Sequence, residues 1–68
     1  MRLSARNQIS GKIKNIQKGA VNSQIEIEVA PEVIITSTIT NEAVAELKLE
    51  VGSEAIAIIK SSSVMIGI

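Results

Sequence analysis

Residues 4–22 read Ser-Ala-Arg-Asn-Gln-Ile-Ser-Gly-Lys-Ile-Lys-Asn-Ile-Gln-Lys-Gly-Ala-Val-Asn, and this stretch decides the fold. It predicts one long β-strand that opens with a polar cluster and closes at a glycine turn. Ser4, Arg6, Asn7 and Gln8 set hydroxyl, guanidinium and amide donors ahead of the apolar alternation. At the far end Lys18-Gly19-Ala20 reverses the chain, with Gly19 expected to supply a positive φ. No carboxylate stands among the opening donors. Such a set fits an anionic ligand, or a partner surface that brings acceptors; a solvated edge strand is the plainer alternative.

Beyond the turn, Val21 to Val29 predicts a second strand. Val21, Ile25, Ile27 and Val29 fall on one face, and Asn22, Gln24, Glu26 and Glu28 on the other. Pro31 interrupts, because it lacks a ladder donor. Val33 to Thr40 is a third strand, rich in β-branched residues, in which the pair Ile34-Ile35 blurs the facing. From Asn41 to Leu47 the period changes to that of a short helix, with Asn41 as N-cap and Glu42 in the first turn. Gly52 marks a turn. Glu54 to Lys60 is a fourth strand, apolar enough to be buried on both faces or to lie at an interface. After Ser61-Ser62-Ser63, Val64 to Ile68 is expected to form a last strand. The order β-β-β-α-β-β fits a mainly β domain spanning residues 1–68, a small Greek-key barrel of the oligonucleotide/oligosaccharide-binding (OB) type.

Composition narrows the function. The chain has 68 residues, 46% of them hydrophobic, with no cysteine and no histidine. So small a core needs a staple, yet disulfides are excluded and the usual zinc ligands are missing. With a mean hydropathy of +0.33, the apolar surface exceeds what one small core can use. An obligate oligomer is therefore expected. Thiol and imidazole catalysis are excluded by the same absences, and no enzyme is expected. Seven basic and seven acidic residues cancel, and no aromatic residue is present. A nucleic-acid-binding OB-type module, the alternative from another class, would lack both a phosphate-binding face and a stacking platform. No apolar run reaches membrane-spanning length and the first residues do not read as a signal peptide, so a cytoplasmic protein is expected.

Three corners could carry a ligand. They are Ser4 to Gln8, Gly19 to Asn22 with its backbone N–H groups, and Lys60 to Ser63 with one ammonium and three hydroxyls. The plain reading of the last is a strand-end charge at Lys60 and serines that satisfy backbone groups at a chain reversal. Ser-Ala-Arg-Asn-Gln at 4–8, Lys-Gly-Ala-Val-Asn at 18–22, Ile-Thr at 39–40, Leu-Glu-Val-Gly-Ser-Glu at 49–54 and Ile-Lys-Ser-Ser-Ser-Val at 59–64 then bear a resemblance. In order and spacing they resemble the molybdenum–pterin-binding (Mop) family, whose small members are the molbindins.

The resemblance implies an OB-type barrel with strand exchange between subunits, assembled as a hexamer built from dimers. It implies a cytoplasmic binder of molybdate or tungstate, for molybdenum storage or homeostasis, with the anions held between subunits. Carried onto this chain, the donors are Ser4 and Arg6, the backbone N–H groups of Ala20 and Val21, and Lys60, Ser61 and Ser62. Ser61 stands where the family commonly has alanine. Ala43 stands where the family often has serine, so any hydroxyl contribution there is lost. Despite the family's name, the chain has no aromatic residue or extended pocket for a pterin, and the free oxyanion is the expected ligand. Choice of molybdate over sulfate would rest on cavity size. Met1 directly before the first motif suggests a complete small protein, with an accessory domain of a larger molybdate-sensing or transport protein as the alternative.

Overall fold

The computed structural model describes residues 2–68, so Met1 lies outside it. The elements are β1 (Asn7–Lys18), β2 (Asn22–Ala30), β3 (Val33–Thr40), α1 (Asn41–Glu46) and β4 (Glu54–Ile59), followed by a 3₁₀ turn at Ser61–Ser63. The strands form one antiparallel sheet in the order β3-β2-β1-β4. It curls into half a barrel. Ile35 and Ser37 of edge strand β3 line the same 170 Å³ cavity as Ile56 and Ile58 of β4, the opposite edge. The expected mainly β fold with one short helix is borne out.

β1 is the spine. Its first half, Asn7 to Lys12, pairs with β4, and its second half, Lys12 to Lys18, pairs with β2; Lys12 is in register on both sides. Gly11 makes the exchange of partners possible. A Cβ there would lie 2.5 Å from the Glu28 carbonyl oxygen and 2.8 Å from Ile27 Cγ2. Just beyond, a bulge between Ile13 and Asn15 turns the strand. Ile13 donates its N–H to the Ser53 carbonyl (2.9 Å) and accepts from the Gly52 N–H (2.8 Å). Its side chain is 1% exposed and centres a small core with Ile25, Ile27 and Ala57.

The inner face of β2 runs Ser23, Ile25, Ile27 and Val29. Val21, expected on that face, lies outside the strand and is exposed. β4 ends at Ile59, one residue before the expected boundary. Along β4, Ala57 is buried and its neighbours Ile56 and Ile58 are exposed, so one face of this apolar strand is uncovered.

Three further expectations change. The cap of α1 is Thr40, whose Oγ1 accepts from the Ala43 N–H at 3.0 Å; Asn41 is the first helical residue and its carboxamide is used elsewhere. The positive φ expected at Gly19 is absent, and Gly52 is the one glycine that adopts it. Gly19 is needed for space instead, since a Cβ there would meet the Asn22 carbonyl oxygen at 2.7 Å. The last strand does not form. Residues 64–68 have no ladder partner among the described residues, and Met65 and Ile66 are about nine-tenths exposed (92% and 88%). A β-strand needs a neighbour to take its N–H and C=O groups, and this fold offers none to that segment.

The molecule is open for its mass. Its accessible surface is 5546 Å², where a compact 7.2 kDa monomer has roughly 4,100 Å². The radius of gyration is 12.4 Å against about 11 Å for a compact domain of this length.

The Gly11 crossing carries a direct test. Gly11→Ala forces β1 and β2 apart, with an expected cost of about 2 kcal/mol. For a domain of this size that lowers the melting temperature by on the order of 10 °C. Circular dichroism melts check it; an unchanged melt would show that the crossing has slack.

Candidate functional site

Two donor-rich corners sit at opposite ends of β1. At its start, the Asn7–Ile59 pairing places the Ser4 segment beside the end of β4. Asn7 Nδ2 donates to the Ile59 carbonyl (3.3 Å) and Gln8 Nε2 to the Ala5 carbonyl (2.9 Å), so these amides brace the backbone of the corner. Across from them Ser61–Ser63 winds into a single 3₁₀ turn, closed by the Ser63 N–H donating to the Lys60 carbonyl at 2.9 Å. Thus Ser4, Arg6, Lys60, Ser61 and Ser62 meet at one end of the sheet, all exposed.

Their side chains have no hydrogen-bond partner among the described residues. Neither cation is ion-paired there. The ion pair that does occur joins Lys14 Nζ to Glu28 Oε2 at 3.6 Å, well inside the strand region and solvent-exposed. Two fixed positive charges and three hydroxyls without a competing carboxylate suit an anion with several acceptor oxygens.

The second corner is the turn from Gly19 to Val21. Its closing bond runs from the Gly19 N–H to the Asn22 carbonyl (2.8 Å). The Ala20 and Val21 N–H groups find no acceptor among the described residues, and both residues are exposed. Beneath the turn lies Ser23, 2% exposed, whose hydroxyl donates to Asn41 Oδ1. Asn41 Nδ2 donates to the Gly19 carbonyl (3.0 Å), and the Asn41 N–H donates to the Val21 carbonyl (2.8 Å). The involvement of Ser23 escaped the sequence reading. The available signal was a serine interrupting the apolar face of β2.

β1 has 12 residues, a contour length of up to roughly 35 Å at a strand rise of about 3.3 Å per residue, in a molecule whose longest dimension is 34 Å. The structure therefore brings five of the seven expected donor residues together and holds Ala20 and Val21 at the other end of the molecule. Three cavities, of about 620, 450 and 170 Å³, are lined by other residues, from the middle of the sheet and the open mouth of the half barrel. Among the described residues no cluster of His, Cys, Asp or Glu could hold a metal ion, and no helix is long and apolar enough to cross a membrane.

Comparison with known proteins places this geometry. The family model described as the TOBE domain matches residues 3–66. A Haemophilus influenzae protein named "Probable molybdenum-pterin-binding protein" is 48% identical over 68 residues, covering all of this chain and 99% of that one. MopII from Clostridium pasteurianum superposes with a TM-score of 0.91 at 40% identity, over 98% of this chain and 100% of that one. The cytoplasmic molybdate-binding protein ModG, in a structure with molybdate bound, matches with a TM-score of 0.90 at 48% identity. That match covers 96% of this chain and 46% of ModG. The chain belongs to the TOBE domain family, among its molybdenum-pterin-binding members.

Proposed function

We propose that the chain binds molybdate or tungstate between copies of itself, without catalysis, as an intracellular store or buffer of the oxyanion. The observation that carries this reading is the division of its donors. Ser4, Arg6, Lys60, Ser61 and Ser62 form one unpaired set, and the Ala20 and Val21 N–H groups form another at the far end of β1. A tetrahedral dianion needs donors converging from several directions, and a second copy is what would bring the two sets together. A relative with molybdate bound and the same fold supports the choice of anion, and its description as cytoplasmic supports that location here.

Energetics favour the same arrangement. A hydrogen bond to a charged group contributes roughly 1.5–3 kcal/mol net, so several of them offset the desolvation of a dianion. Most of the donors are neutral hydroxyls and amides, which explains how an anion binder can carry zero net charge. Molybdate and sulfate have the same charge and shape, so discrimination falls to the size of the inter-subunit cavity. The chain has no aromatic residue to stack on a pterin, and we assign it the free oxyanion.

The partner is a second copy of this chain. The surface excess over a compact monomer is about 1,400 Å², more than the roughly 800 Å² each partner buries in a standard interface. The apolar segment at residues 64–68 and the uncovered Ile56 and Ile58 are the surfaces to be covered. Strand exchange, with that segment laid on a neighbour's sheet, would use both, and a hexamer built from dimers is the assembly we expect.

Native mass spectrometry with molybdate, and with sulfate as control, tests the reading. The expected result is a hexamer that takes up several molybdates and few sulfates; a monomer indifferent to both would overturn it. Ser4→Ala and Ser62→Ala should each weaken molybdate binding by at least about tenfold while leaving the assembled mass unchanged. Equal affinity in both variants would remove these residues from the site. Deleting residues 64–68 should reduce the assembled mass, and an intact hexamer would rule out the exchanged strand.

A further inference from the structure

The ties around the second corner converge on a single residue. The Gly19 carbonyl can only accept, so the Asn41 atom that faces it at 3.0 Å is Nδ2. That leaves Oδ1 for Ser23, whose hydroxyl must therefore donate. With its own N–H, Asn41 also holds the Val21 carbonyl. One residue thus grips the turn at Gly19 and again at Val21, and Ser23, buried below, fixes the plane of its carboxamide.

This grip has a consequence for the donors. A peptide unit is planar and trans, so its N–H points opposite to its C=O. The Gly19 carbonyl and the Ala20 N–H belong to one such unit. Holding the carbonyl against Asn41 turns the Ala20 N–H to the opposite side, where no acceptor from the described residues meets it. Without Asn41 the peptide plane could rotate, and a ligand would have to order it on binding. A donor already oriented avoids that cost.

We propose that Asn41, seated by Ser23, is a positioning residue that aims the Ala20 N–H at the bound oxyanion. This rests on the oxyanion reading above and adds to it a residue that touches no ligand. The other role open to Asn41 is to dock the start of α1, and Thr40 supplies the control. Thr40→Ala removes the cap on the Ala43 N–H, loosening the same helix, and leaves the bonds from Asn41 to Gly19 and Val21 in place.

The experiment is calorimetric titration of the assembled full-length protein with molybdate, paired with melting curves and the amide spectrum of ¹⁵N-labelled protein. Asn41→Ala is expected to weaken binding about tenfold, the size of one charge-assisted hydrogen bond made poorly. The Ala20 amide signal should shift on molybdate addition in the wild type and shift less in the variant. Thr40→Ala is expected to melt lower and bind as wild type. Ser23→Ala, the milder change, should weaken binding about threefold, and it decides the matter if Asn41→Ala does not assemble. Wild-type affinity in Asn41→Ala, or in Ser23→Ala where that variant decides, overturns the inference while the oxyanion reading stands. Equal weakening by Thr40→Ala overturns it too, by assigning the effect to the helix. A wild-type protein that takes up no molybdate overturns the oxyanion reading and this inference with it.

Discussion

The rest of the structure depends on the crossing at Gly11, where one strand serves two neighbours in succession. At that point β1 leaves β4 for β2, and the Glu28 carbonyl comes so near that no side chain fits between them. Immediately after it, the Ile13 backbone binds the Gly52 turn through both its N–H and its C=O, and the Ile13 side chain seals the core. Because the crossing lies mid-strand, β1 can be long without being flat. Its length in turn sets the two polar corners at opposite ends of the molecule. The separation of the two polar corners thus depends on a steric condition in the middle of the sheet.

How much of this the sequence revealed depended on how local the cause was. Alternation over Asn22–Ala30 and the β-branched run over Val33–Thr40 are properties of adjacent residues, and those strands lie within a residue or so of their expected bounds. Choosing the helix cap was harder. Thr40 and Asn41 are both good capping residues, and what separates them is the bond from Asn41 to Gly19, 22 positions away in sequence. Gly19 was recognised as essential for the wrong reason, since crowding against the Asn22 carbonyl is a property of the folded turn. For residues 64–68 the sequence has a fair strand pattern, but a strand is a relation between two segments, and its partner is not within the described chain.

The same distinction applies to the site. Unpaired donors are legible as composition: Ser4 to Gln8, Gly19 to Asn22 and Lys60 to Ser63 contain no acid. That the first and last of these adjoin, and that the middle one stands apart, follows from the antiparallel pairing of β1 with β4 and could not be read from spacing alone. Ser23 was hidden more deeply. Its hydroxyl on an otherwise apolar face looks like a tolerated substitution until the carboxamide above it is seen.

On the reading proposed here, a chain built this way links ligand binding to assembly, since only assembled copies complete a site. A protomer offers two half-sites that its own β1 keeps apart, so on the reading proposed here no monomer can bind the anion with its full donor set. Conversely, the small core of Ile13, Ile25, Ile27 and Ala57 leaves the monomer little stability of its own. A ligand that binds only the assembled form stabilises it by mass action, in proportion to the logarithm of its free concentration. Weak cores and split sites therefore reinforce each other. On that reading most donors are neutral, and only Arg6 and Lys60 would pair their charge with the anion. A deeper core would let a single copy fold on its own and so separate folding from assembly and from binding.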